Sequence, residues 1–228
     1  MINDVLEWFQ DPAHWQGDDG VLHRLVEHTL LTLVAMLFAM VVGLPLAVWL
    51  GHRRRYGTLA VNISNIGRAI PIVALLSLLA LGFVGSADFG PFGRAGLATL
   101  ITLALFALPP IITNAYVAVS GVDDDLVEAA RGMGMDESQV LRRVELPVAM
   151  PLIVTGVRLA VVQVWATATV AALVAGPGLG RIITHGYDSN RPAEVISGSI
   201  IVAVVALVLE GLMALLQRAL DPLPAGSR

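Results

Sequence analysis

The 228-residue chain contains no cysteine and no lysine. Without cysteine it has no disulfide, no thiolate nucleophile and no cysteine metal site, and its redox compartment stays open. Without lysine it has no Walker A loop, whose Lys must reach the β- and γ-phosphates of a nucleotide. Any ATP hydrolysis tied to this chain therefore belongs to another polypeptide. All fourteen basic residues are Arg, and the five His are scattered without a spacing suited to a metal. Charge of either sign is scarce, at 14% of residues, where a soluble domain carries about 25%. The first twenty residues are acidic and lack a basic leader and a small-residue cleavage site, so no cleavable signal peptide is expected. Nucleic acid is not an expected partner.

What fills the chain instead is apolar sequence: 56% of residues are hydrophobic and the mean hydropathy is +0.77. A deficit of charge on this scale means that most of the surface meets lipid rather than water. About twenty apolar residues cross a bilayer as a helix, and five stretches qualify: Thr29–Leu50, Ala69–Gly85, Ala95–Val119, Met150–Ala175 and Val195–Leu216. The expected fold is all-α, a polytopic membrane protein of about five transmembrane helices. The approach to the second span is polar, with Asn62, Ser64, Asn65 and Arg68. Pro71 and the pair Pro109-Pro110 are expected to kink or interrupt their helices, since each removes an intrahelical donor. Residues 1–24 read as an external segment, 25–220 as one transmembrane domain and 221–228 as a cytoplasmic tail. Within the first segment, Val5, Leu6, Trp8, Phe9 and Trp15 among acids predict an amphipathic helix in the outer interface, ended at Asp11-Pro12.

Arginine distribution sets the orientation, because cytoplasmic loops carry the excess of basic residues. Arg53, Arg54, Arg55, Arg131, Arg142, Arg143, Arg218 and Arg228 fall on one side; Arg24, Arg94, Arg181 and Arg191 fall on the other. Eight against four places the N-terminus outside and the loop at 121–148 in the cytoplasm. That loop is the polar exception between apolar stretches. Asp125 followed by Glu128, and Asp136 followed by Gln139, are capping-box spacings. They predict two short helices broken around Gly132 and Gly134, where positive φ costs glycine little. Leu146-Pro147 is expected to end the second helix and turn the chain into the next span.

Between Glu128 and Pro147 the loop reads EAARGMGMDESQVLRRVELP. It resembles the EAA loop of the membrane subunits of binding-protein-dependent ABC importers: Glu-Ala-Ala, three residues, Gly134, nine residues, then an apolar residue, one residue and Leu-Pro. The one departure is Val144 where the family has Ile. The resemblance implies a type I importer permease in the bacterial cytoplasmic membrane. The loop would dock on a separate ABC ATPase subunit through Glu128, Ala129, Ala130, Arg131, Gly132, Met133 and Gly134, with Asp136, Leu146 and Pro147 shaping it. It also implies a second permease subunit, identical or sister, and an extracytoplasmic solute-binding protein. No cofactor is expected on this chain; ATP and Mg would sit on the ATPase. The run Val170–Gly186, with Glu27-His28, Pro71 and Gly156-Val157-Arg158, is similar to the osmoprotectant branch, which moves glycine betaine, carnitine or choline. Pro177 stands where that branch usually has Gly.

Further candidate residues come from chemistry. Gly176, Gly178 and Gly180 predict a tight turn beside the pathway; a phosphate loop is excluded because no strand precedes it. Pro71 is a second candidate for the pathway or gate. Trp165, near mid-membrane, is a candidate face for a quaternary ammonium through cation–π attraction, or a packing residue. Arg68, Arg158 and Glu210 lie in apolar sequence, where an unpaired charge costs several kcal/mol. At roughly 1.5 Å per residue, all three fall in the cytoplasmic half, so Glu210 is expected to pair with Arg158 or Arg68, or each to line a wet subunit interface. Alternatives to the osmoprotectant reading are an importer permease for an amino acid, methionine or a metal chelate. Those from other classes are a proton-coupled transporter or channel, and a non-transporting membrane anchor.

Overall fold

The computed structural model describes residues 1–54, 57, 62, 67, 69–82, 84–86 and 90–220. Among them every regular element is helical. Helix α1 spans Ile2–Gln10, α2 Val21–His52, α3 Ile72–Leu81, α4 Gly96–Ser120, α5 Asp124–Gly132, α6 Glu137–Val140, α7 Leu146–Ala168, α8 Gly180–Asp188 and α9 Pro192–Leu220. Four helical stretches are long and apolar enough to cross a membrane: Val21–His52, Gly96–Ser120, Glu137–Val174 and Pro192–Ala219.

The second expected span differs. Among the described residues of Ala69–Gly85, the helix α3 has ten residues and at about 1.5 Å per residue reaches half of a ~30 Å hydrocarbon core; Ala69 is helical on the other side of Pro71. Pro71 interrupts the helical course as expected: Ile70 and Pro71 are not helical, and Pro71 stands as the N-cap of α3 with ψ of 117°. Arg68 lies outside the described residues. Conversely, Pro109-Pro110 leave α4 unbroken from Gly96 to Ser120, because neighbouring helices hold it on both sides.

The bundle is built on α4. Helix α2 makes its broadest contact with α4, and α7 covers another of its faces. Small residues permit this: Ala35, Ala39, Ala47, Ala104, Ala107, Ala115, Ala160 and Ala168 are all buried at these contacts. In lipid, helices gain nothing by hiding apolar surface from water, so close backbone approach and dispersion hold them together. A Cβ on Gly51 would stand 2.8 Å from Val119 Cβ, and one on Gly156 would stand 2.6 Å from Asn114 Cβ. By contrast, Leu33, Leu37, Phe38 and Val41 of α2 and Val204, Leu207, Val208 and Leu212 of α9 are exposed, as faces turned to hydrocarbon must be.

At the end opposite the loop, α1 forms where expected and stops before Asp11, whose side chain caps the turn at Pro12–His14. It does not lie free in an interface. Trp8 is buried with Val21, Trp165, Leu179, Ile182 and Ile201, and α1 packs on α9.

Gly156→Val should therefore lower the unfolding midpoint of the purified chain, since overpacking costs about 1–3 kcal/mol. Gly211→Ala, whose added Cβ meets nothing within 4 Å, should not lower it. Thermal melts of the two variants in one detergent check the pair; equal midpoints would contradict the close α4–α7 approach.

Candidate functional site

The polar loop between α4 and α7 folds from short-range signals. Asp123 caps α5, its carboxylate accepting from Asp125 N at 2.9 Å. The cap thus falls two residues before the expected Asp125, and Asp124 and Asp125 occupy the first turn, where the helix dipole favours anions. Helix α5 ends at Gly132; Gly134 takes φ +84° and donates to Arg131 O at 2.9 Å. The second cap is the expected one. Gln139 N donates to Asp136 Oδ1 at 2.9 Å and Asp136 N to Gln139 Oε1 at 3.0 Å.

Leu146-Pro147 does not turn the chain. After α6 comes a π-helical stretch, Leu141–Glu145, that runs directly into α7, with Pro147 in the first turn. Pro147 has no N–H to close an α-helical bond, and the wider π turn absorbs that loss without a bend into loop. The second helix of the loop and the span that follows are thus one continuous helical body, while α5 is set off from it by the turn at residues 133–136.

Of the residues expected on the docking surface, Glu128, Ala129, Arg131, Gly132, Met133 and Gly134 are exposed. Met133 is 73% exposed and Leu126 offers a second apolar side chain beside it. Ala130 is the exception. It is buried with Val119, Val122, Val127 and Val140, holding α5 onto the bundle. Its small size serves packing within the chain rather than contact outside it. Asp136 and Pro147 are exposed and Leu146 is half-buried. Arg131 donates to both carboxylate oxygens of Glu137, at 3.0 and 3.1 Å. That hydrogen bond, more than charge alone, holds the Glu137 carboxyl below the usual carboxylate range.

At the other end, the glycine-rich turn is gripped by two adjacent side chains of α2. Gly178 N donates to Glu27 Oε2 at 3.1 Å, and Leu179 N donates to His28 Nδ1 at 3.3 Å. Because Nδ1 accepts, the ring proton is on Nε2, which donates to Trp165 O at 3.0 Å. Glu27 also accepts from Arg24 at 2.8 Å, and Arg24 pairs with Asp19. Gly176, Gly178 and Gly180 are all buried. A Cβ at Gly180 would fall 2.1 Å from Thr169 O, and one at Gly178, where φ is +108°, 2.9 Å from His28 Nδ1. These glycines pack the turn against the bundle; within this chain they line no open path. Trp165 likewise is 1% exposed and donates to Val202 O at 3.3 Å, so its ring is a core element. A 680 Å³ cleft opens beside this turn, lined by Asp19, Arg24, Arg181, Asp188 and Glu194 among others.

In the span region, Arg158 and Glu210 meet: Arg158 Nε donates to Glu210 Oε1 at 3.0 Å. Arg158 Nη1 reaches Gln217 Oε1 at 2.9 Å, and Gln217 donates on to Thr155 at 2.7 Å. The side chains remain 30% and 39% exposed, so a polar seam runs along the outside of α7 and α9. His52 and Glu145 were invisible as site residues in sequence, because they lie 93 positions apart; His28 stood out only by resemblance, and its partner Trp165 lies 137 positions away.

With this geometry in view, residues 30–224 match the family described as the binding-protein-dependent transport system inner membrane component. The chain belongs to that family. It is a multi-pass inner-membrane permease subunit of an ABC importer. Among similar proteins, the carnitine transport permease protein OpuCD of Listeria monocytogenes serotype 1/2a (strain 10403S) is 31% identical, over 97% of this chain and 93% of its own length. The glycine betaine/carnitine/choline transport system permease protein OpuCD of Bacillus subtilis (strain 168) is 32% identical, over 96% and 93%. Among solved structures, the inward-facing MetNI methionine ABC transporter aligns with a TM-score of 0.74 and 25% identity, over 88% of this chain and 96% of that one. Permeases of this family operate with an ATPase and a solute-binding protein.

Gly178→Ala should loosen the glycine-rich turn of the permease, because the left-handed backbone costs a side-chain-bearing residue about 1–2 kcal/mol. Hydrogen–deuterium exchange across residues 176–182 should accelerate, and Glu27→Ala should produce the same change more weakly. Unchanged exchange in both would remove the clasp.

Proposed function

We propose that this permease carries a small quaternary-ammonium solute of the glycine betaine, carnitine and choline class, driven by ATP hydrolysed on a separate subunit. The observation that carries the solute class is the set of osmoprotectant permeases similar over nearly the whole chain, at 28–33% identity. The methionine transporter shares the fold at lower identity and is the reading to be excluded.

The coupling surface in this reading is the exposed side of α5 and its C-terminal turn: Glu128, Ala129, Arg131, Gly132, Met133 and Gly134, with Leu126 added. A Cβ on Gly132 or Gly134 meets nothing within the chain, which leaves room for another protein's backbone. ATP and Mg bind between the two ATPase subunits, and their closure moves the loops. Because α5 is joined by a short turn to α6, which is helically continuous with α7, that movement reaches the span through few residues. The permease is then a two-state element biased from both ends, by nucleotide inside and loaded binding protein outside.

The Arg158–Glu210 seam supports the position of a second permease subunit. An ion pair half-exposed to hydrocarbon would cost several kcal/mol. The α7/α9 face is therefore assigned to a wet contact with that subunit or to the pathway between the two.

In proteoliposomes holding permease, ATPase and binding protein, Glu128→Lys should cut uptake by more than about tenfold, a coupling loss of 1.4 kcal/mol or more. Gly134→Val, strained at φ +84°, should do the same. Labelled glycine betaine, carnitine, choline and methionine are compared as solutes; uptake of methionine alone would overturn the solute class. Full coupling in both variants would overturn the loop assignment.

A further inference from the structure

The end of α2 touches both ends of the coupling loop. Glu145, the last residue of the π-helical stretch, is 1% exposed. His52, at the last position of α2, sets Nδ1 2.5 Å from Glu145 Oε2. A carboxylate only accepts, so Nδ1 carries the proton. The other ring nitrogen lies 3.4 Å from Glu137 Oε2, and Glu137 is the residue held by both arms of Arg131. Polar groups thus follow one another from the EAA helix to the base of the first long span: Arg131, Glu137, His52 and Glu145. The hydrogen-bonded steps are Arg131–Glu137 and His52–Glu145, while Glu137 and His52 form an ion pair when the imidazole is doubly protonated. Two residues on, Arg54 donates to Val122 O at 2.7 Å and pairs with Asp124 in the first turn of α5.

We infer that His52 and Arg54 form a bracket that fastens the coupling loop to α2, making His52 and its buried partner Glu145 positioning residues for energy transfer. The inference rests on the loop being the ATPase contact. Without the bracket, displacement of α5 passes to the bundle through its covalent neighbours, α4 before it and α7 after it, and through the apolar packing of Val127 and Ala130. With it, the same displacement pulls directly on α2, which holds the broadest contact in the bundle, that with α4. A buried carboxylate is suited to the task because separating it from its hydrogen-bonded partner is strongly unfavourable. The joint therefore resists opening under load, whereas the exposed Arg131–Glu137 pair beside it does not.

The test uses the full complex in proteoliposomes and reads solute taken up per ATP hydrolysed, with whichever of glycine betaine, carnitine and choline the unaltered complex transports. His52→Ala and Glu145→Gln should each leave the ATPase subunit bound in normal amount yet lower that ratio about tenfold, within the usual range of coupling effects. His52→Asn places its amide N–H near the position of Nδ1 and should restore the ratio to within about twofold. His52→Gln places its amide elsewhere and should not, and this Asn–Gln contrast stands even where the Ala variant fails to accumulate. The double variant His52→Ala/Glu145→Gln should be no worse than either single. An unchanged ratio in Glu145→Gln, equal ratios for Asn and Gln, or losses that multiply in the double variant would overturn the bracket. Glu128→Lys runs beside them. If it too keeps full coupling, the loop assignment itself has failed; if it uncouples while the His52 and Glu145 variants do not, the bracket alone has.

Discussion

Close backbone approach among α2, α4 and α7 is the constraint on which the rest of the permease depends. In hydrocarbon there is no reward for hiding a leucine from its surroundings, so contact is won by bringing main chains together. Gly51 against Val119 and Gly156 against Asn114 and Pro110 mark where the helices come nearest, and alanines fill the intervening turns. Large apolar side chains are displaced outward, onto faces of α2 and α9 that meet lipid. The same geometry allows Pro109 and Pro110 to sit in an unbroken helix, because neighbours on both sides fix its path.

On this rigid triad the two ends of the molecule are built by different means. At the loop end, helical order is nearly continuous from α5 to the far end of α7, interrupted by one glycine turn and one π turn. At the opposite end, a glycine-rich turn with little regular structure is held by side chains, Glu27 and His28, that are themselves anchored by Arg24 and Trp165. One end is stiff along the chain; the other is stiff only across it. That difference suits a membrane subunit driven from one side and gated on the other.

Much of this was legible in the sequence, and the gaps have a common cause. The capping box at Asp136 and Gln139, the positive φ at Gly134 and four of the five long apolar runs are local signals that appear in the structure where they were read. Asp125 was misjudged by two residues because Asp123, Asp124 and Asp125 offer equivalent caps, and backbone geometry chose the first. Ala130 looked like an outward-facing small residue, yet only tertiary packing decides which side of α5 is inward. For Trp165 the packing alternative is the one the structure shows, and the three glycines do form a tight turn, but which helices bury them is set by α2 and α9, distant in sequence. His52 and Glu145 carry no local signature at all: a histidine ending one helix and a glutamate in a motif's variable position acquire meaning only when 93 residues of chain bring them together.

His28 binds two separate segments of main chain with a single ring, one nitrogen to the peptide before α8 and the other to a carbonyl of α7. Segments of α2, α7 and the turn before α8 are thereby joined at the end of the bundle opposite the EAA loop. Parting those segments would break both hydrogen bonds of the ring at once, so one imidazole ties the glycine-rich turn and α7 to the same point on α2.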